Sequence, residues 1–228
     1  VTTFSANPTL SLPVHAMLLL GPTGSGKTPI GNMLADQSRK KPRCHHFDFG
    51  HHLRLSASSE SGHGPLTSIE RGIVRRVLAD GSLLEDGQFG IAMKILNGFL
   101  ANSGFQRNDV LVLNGLPRHI GQAGMLANIV NIRLVIALES DDLSTYARVA
   151  GNSWGDRAGR TDDSREEIAR KLAVFARKTK PLVEFYGQRG VRIETIEVNT
   201  KTATEDVLST IERLLSESFP DSDERSIK

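Results

Sequence analysis

The chain has 228 residues, of which 39% are hydrophobic and 24% charged; this is ordinary globular usage and enough to bury a substantial core, so disorder throughout is excluded. Twenty-eight Lys and Arg against 26 Asp and Glu leave a net charge of +2, without the basic excess of a general nucleic-acid binder. The single cysteine, Cys44, excludes an internal disulfide and suits a reducing compartment.

Residues 1–14 are rich in Thr, Ser and Pro and are expected to form a flexible arm. Met17-Leu18-Leu19-Leu20, closed by Gly21, reads as a buried strand, and residues 29–38 read as a helix with Ile30, Met33 and Leu34 on one face. Residues 44–50 are expected to form a second strand and 56–64 a loop. Helices follow over 66–79 and 88–101, parted by Asp80-Gly81. Strands are predicted at 109–113, 133–138 and 191–198. Between 151 and 163 apolar periodicity fails. A long helix is predicted over 164–186, with Ile168, Leu172, Phe175 and Leu182 at helical spacing and Pro181 kinking it or starting a new turn. A last helix spans 204–215, and 220–228 form a frayed tail. Strands alternating with helices imply an α/β fold with a parallel sheet covered on both faces. No apolar run reaches bilayer length and no leader pattern is present, so the expectation is a soluble cytoplasmic protein, with no membrane or nucleic-acid partner.

Gly21-Pro22-Thr23-Gly24-Ser25-Gly26-Lys27-Thr28 satisfies G-x-x-x-x-G-K-[ST], with an apolar strand before it and a helix after it. The glycines let backbone N–H groups of Gly24, Ser25 and Gly26 curl around phosphates, and the helix N-terminus adds its dipole. Lys27 supplies a mobile cation for the β- and γ-phosphates, and the Thr28 hydroxyl is a ligand for Mg²⁺. Pro29 falls in the first helical turn, where its missing N–H costs little. The motif establishes nucleotide binding as the expectation without choosing among kinase, GTPase and motor.

Further segments resemble the adenylate kinase and nucleoside monophosphate kinase family, in the family's order and over about 17–215. Asn114-Gly115-Leu116-Pro117-Arg118 is similar to its Asp-Gly-Phe-Pro-Arg, and Gln122 follows at the spacing of its base-reading glutamine. Gly159-Arg160-Thr161-Asp162-Asp163 is similar to the Gly-Arg-x-Asp-Asp that closes a short lid, and Asp80-Gly81-Ser82-Leu83-Leu84 resembles the turn that closes the acceptor subdomain. The resemblance implies a single P-loop kinase domain over 15–219, a three-layer fold around a five-stranded parallel sheet. An acceptor-binding insertion is expected at about 50–82 and a lid at about 149–162. It also implies a monomer that transfers a phosphoryl group from ATP, with Mg²⁺, to an AMP-like acceptor. Lys27, Arg118 and Arg160 are the implied catalytic cations, and Arg148 is a further ATP-binding residue at the lid's start. Phe49, Arg54, Leu84, Arg118, Gln122 and Lys171 are the implied acceptor site, in which Arg118 would clamp a phosphate bidentately. From Arg148 to Lys180 there are nine Lys and Arg against five Asp and Glu, a surplus suited to polyphosphate.

The chain departs from the family pattern at several positions. Asn114 stands for the aspartate that helps hold the metal's water shell, so the Mg²⁺ site loses a formal charge, and Asn114→Asp is expected to raise activity. Phe49 and His51 replace the Thr and Asp of Thr-Gly-Asp, Lys171 stands for an arginine, and Trp154 occupies an arginine position of the lid. Conversely, Thr28 supplies a hydroxyl where the family has glycine. His45-His46 and His51-His52 suggest metal ligation, but adjacent strand histidines point to opposite faces. Two other readings stay open on the residues: a P-loop kinase of a non-nucleotide metabolite, and a nucleotide-binding protein whose kinase activity has decayed.

Overall fold

The computed structural model describes residues 13–37, 42–58, 64–152, 154–155 and 164–220. Five strands, β1 (Val14–Leu20), β2 (Cys44–Asp48), β3 (Val110–Asn114), β4 (Val130–Glu139) and β5 (Arg192–Glu197), form one parallel sheet in the order β2-β3-β1-β4-β5. Such a sheet buries both faces, so its strands read as continuous apolar runs. In β1, Ala16 and Leu18 face one core, built with helices α4 (Phe89–Asn102) and α8 (Leu182–Gly187). Met17 and Leu19 face the other, built with α1 (Lys27–Asp36) and α9 (Thr204–Ser218).

Strand β4 begins three residues before the predicted 133–138 strand, and its first residues serve the opposite core from its last. The pairing with β1 runs Ala16 to Ile132 and then Met17 to Leu134, leaving Arg133 as the extra residue of a bulge. That slip of one residue turns Val130 and Ile132 to one core and Leu134 and Ile136 to the other. The Arg133 guanidinium lies 5.2 Å from the Phe219 ring centroid.

Side-chain caps set the starts of the helices that border the cleft. Thr67 and Glu70 form a reciprocal capping box at the head of α3 (Ser68–Asp80), as Ser164 and Glu167 do for α7 (Arg165–Val174). The predicted long helix from 164 is interrupted. Between α7 and α8 the chain widens into a π-helical turn over Phe175–Thr179, in which the Lys180 amide bonds the Phe175 carbonyl, and α8 begins after Pro181.

Other expectations need correction. Phe49 and Gly50 do not extend β2; they open helix α2 (Phe49–Ser58), whose end occupies part of the predicted 56–64 loop. Two further helices, α5 (Ile120–Leu126) and α6 (Asp142–Ala150), had no counterpart in the sequence reading. Residues 1–12 of the expected arm, 221–228 of the tail and most of the expected lid lie outside the described residues. Among the described residues, no helix is long and apolar enough to cross a membrane.

Candidate active site

The carboxyl ends of β1, β2 and β3 open onto one cleft, the usual place for a ligand in a parallel α/β sheet. The loop after β1 curls back before α1. Gly26, at the helix's N-cap, has φ of 91° and ψ of 13°, a left-handed conformation that a side chain would strain. Any Cβ there would also overlap the Trp154 ring. Lys27 reaches back over the loop, its Nζ donating to the carbonyls of Gly21 at 2.8 Å and Pro22 at 2.6 Å and to Ser25 Oγ at 3.1 Å. Arg148, only 3% exposed, donates from Nε to the Gly24 carbonyl at 3.0 Å and from Nη1 to the Asn199 carbonyl at 2.7 Å. This guanidinium ties α6 (Asp142–Ala150) to the phosphate loop.

At the ends of β2 and β3, Asp48 and Asn114 are direct partners across the ladder. The Thr28 hydroxyl donates to Asp48 Oδ2 at 2.6 Å, and Asn114 Nδ2 donates to the same oxygen and to Thr28 Oγ1, each at 3.2 Å. Asp48 Oδ1 accepts the His51 amide at 2.9 Å, which caps α2. Burial pushes the Asp48 carboxyl upward, but the Thr28 and His51 hydrogen bonds and the Arg54 charge outweigh it, holding the pKa below the ordinary aspartate value. Burial also lowers His46 to about 4, leaving it neutral, with Nδ1 bonded to Asn32 and Nε2 set 3.4 Å from the Asn114 amide nitrogen.

The predicted acceptor residues gather around the far side of the same cleft. Phe49, Arg54, Leu84, Arg118, Gln122 and Lys171 all line it together with Lys27 and Thr28. Two guanidiniums converge on the β2–β3 ends: a Cβ at Gly50 would come within 3.6 Å of Arg54 Nη1, and one at Gly115 within 4.0 Å of Arg118 Nη1. Loss of water pulls the Arg118 pKa down and the Asp48 charge opposes this, the first effect prevailing; an arginine stays charged regardless. Thr179, on the π-helical turn, donates to the Arg118 carbonyl at 2.8 Å.

Gln122 is fully buried, and its amide engages the main chain. Oε1 accepts the Arg118 amide and Nε2 donates to the Leu84 carbonyl, both at 2.8 Å. An amide group has two donors and two acceptor sites, and these two bonds take one of each. Lys171 and Phe175 close the rim, and beside them the Arg170 guanidinium approaches the left-handed Gly81 at the end of α3. Arg160, with Arg157, Asp162 and Asp163, lies outside the described residues.

The histidines separate. His45 pairs with Asp109 at 2.7 Å in the core, and His52 stacks on Phe47 with centroids 5.0 Å apart. Sequence reasoning passed over Asp48, since one acidic residue at a strand end has no motif of its own. The usable signal was its place: last in β2, opposite Asn114. Trp154 also proved more central than its lid position suggested, because its ring covers Gly26.

No protein-family model matches the chain. Three curated relatives align with most of it. An adenylate kinase of Synechococcus sp. (strain CC9311) is 30% identical over 188 residues, which is 80% of this chain and 90% of that protein. One from Xylella fastidiosa (strain 9a5c) is 31% identical over 183 residues, 77% and 87% of the two chains. A third, from Prochlorococcus marinus (strain NATL2A), is 29% identical over 204 residues, 87% and 97% of the two.

Proposed function

The chain belongs to the adenylate kinase family, and on that premise we propose that it transfers the γ-phosphoryl group of ATP to a nucleoside monophosphate of AMP type. The observation that carries this reading is that one cleft is walled by the phosphate loop on one side and by Arg54, Arg118, Gln122 and Leu84 on the other. Two phosphate-bearing substrates need such a site, with cations at both ends and little covalent work by the protein.

In this reading the Lys27 ammonium leaves the Gly21 and Pro22 carbonyls and meets the β- and γ-phosphates. Arg118 and Arg54 hold the acceptor phosphate, with Arg118 fixed through its own backbone by Gln122 and Thr179. Leu84 and Phe49 supply apolar wall against which a base packs, while the Gln122 amide meets its edge. Lys171 adds charge at the rim, and Arg160 would come to the transferring group with the lid. The oxygen donors at the strand ends beside the loop suit a hard cation. Mg²⁺ bound there would neutralise phosphate charge.

Phe49 favours a second reading. It puts a buried phenyl ring where the family's threonine offers a hydroxyl, which leaves room for a non-nucleotide acceptor. A coupled assay of ADP formation from ATP and Mg²⁺ tests both. Turnover with AMP, CMP, UMP or GMP supports the first reading, turnover confined to sugars or small acids supports the second, and ATP binding without turnover on any acceptor refutes both.

A further inference from the structure

We propose that Asp48 is the carboxylate through which this chain holds the Mg²⁺ of its bound nucleotide, and that Asn114 positions it. The proposal rests on the nucleotide-binding reading above. Where the family pattern has an aspartate, this chain has Asn114 at the end of β3, and the site would lack a charge if nothing replaced it. A replacement stands one strand away. Asp48 is the direct ladder partner of Asn114, and both line the cleft beside Thr28.

The hydrogen bonds suit such a division of labour. Mg²⁺ in nucleotide sites is held by one or two carboxylates together with phosphates and retained waters, and in P-loop proteins by the loop Ser or Thr with an aspartate. Thr28 and Asp48 are already in contact at 2.6 Å. The amide of Asn114 donates to both, at 3.2 Å each. Its third neighbour, the His46 ring, bonds the Asn32 Oδ1 acceptor through Nδ1 and turns Nε2 toward the amide. Three neighbours around one NH₂ group fix its orientation. A carboxylate at 114 would have no hydrogen to donate, so the two bonds that orient Asp48 and Thr28 would be lost. Asparagine at 114 and aspartate at 48 therefore form a matched pair: the site keeps one carboxylate, carried by β2 instead of β3.

The test uses Mn²⁺ as a spectroscopic stand-in for Mg²⁺. Electron paramagnetic resonance titration gives the Mn²⁺ affinity of the protein–ATP complex, and calorimetry in EDTA gives metal-free ATP binding. Asp48→Asn is expected to weaken Mn²⁺ binding about 10–100-fold, the usual scale for groups that act on a metal directly or through its waters, while ATP binding in EDTA persists. The exchange D48N/N114D, which returns one carboxylate to the site, should recover most of the Mn²⁺ affinity. The proposal is overturned if Asp48→Asn leaves Mn²⁺ affinity unchanged and raises only the acceptor KM, which would make Asp48 a partner of Arg54 and Arg118. Should Asp48→Asn fail to fold by circular dichroism, Asp48→Ser gives the same reading: unchanged Mn²⁺ affinity overturns the proposal and a loss supports it. Absence of ATP binding by the wild-type chain in EDTA would instead defeat the nucleotide reading itself.

Discussion

The Arg148 guanidinium lies 3.9 Å from the centroid of the Trp154 ring, while its Nε holds the Gly24 carbonyl. The indole is thereby parked over Gly26, where the loop would receive phosphates. A triphosphate entering the loop has to displace it. A cation–π contact of this kind contributes about 0.5–2 kcal/mol. Trp154→Ala should therefore tighten ATP binding roughly 2–30-fold, measured by calorimetry. Trp154 is the only tryptophan, so its emission should shift when ATP is added to the wild-type chain. Weaker ATP binding by Trp154→Ala would mean that the ring packs against the nucleotide instead of yielding to it.

Gln122 joins two backbone groups from separate segments of the acceptor-side wall, the Arg118 amide and the Leu84 carbonyl. Gln122→Ala would leave the Arg118 amide unpaired in the core, while the Leu84 carbonyl keeps His119 Nε2 at 3.2 Å. Each buried unsatisfied group costs about 1–3 kcal/mol, and a protein of this size loses roughly 2–4 °C of Tm per kcal/mol. Thermal unfolding should therefore drop by roughly 2–12 °C on those scales, and the acceptor KM should rise as Arg118 loses its anchor. An unchanged Tm would show that water replaces the amide.

The central strands and the phosphate loop were legible in the sequence because each rests on local pattern. Strands apolar on both faces admit few other readings, and the loop's glycines, lysine and threonine are contiguous. Helix α2 was misread because Phe47 and Phe49 keep the alternate spacing of a strand. The strand stops only where the Asp48 carboxylate caps the His51 amide, a contact set by its ladder position. Helix α6 was missed for another reason: its buried residues are Thr145, Arg148 and Val149, so its inward face is largely polar, while Leu143 is 83% exposed. Apolar periodicity cannot reveal a helix that turns its arginine inward. Bringing Asp48 beside Asn114 and Thr28 required the strand order, which no spacing rule contains.

Cys44 provides a pH probe. Burial, with the Asp109 and Glu212 charges adding to it, pushes its thiol up to about 12. A raised folded-state value contributes stability that is complete below the unfolded thiol's pKa, near 9, and is lost as pH climbs toward 12. Tyr186 is shifted in the same direction by burial, so it adds to the loss at still higher pH. Urea unfolding should give constant stability from pH 7 to 8.5, falling above about 9 by up to about 1.4 kcal/mol per pH unit for one proton. Cys44→Ala should flatten the first part of that decline. The native thiol should also resist Ellman's reagent at neutral pH and react on unfolding; rapid native labelling would contradict its burial.

Lys27 and Arg118 face each other across the cleft with different duties, and their variants should fail differently. Lys27 bonds the loop's Gly21, Pro22 and Ser25, and Lys27→Ala should keep the fold. It should lower kcat about 10²–10³-fold, the scale for removing one preorganised electrostatic group. Arg118→Lys keeps the charge but loses the fork that meets two phosphate oxygens at once. Its main effect should be on the acceptor, with KM for the monophosphate raised at least about tenfold and ATP affinity unchanged. Steady-state kinetics with each substrate varied in turn separates the two. If Arg118→Lys weakened ATP as much as the acceptor, the cleft would not be divided between donor and acceptor as proposed.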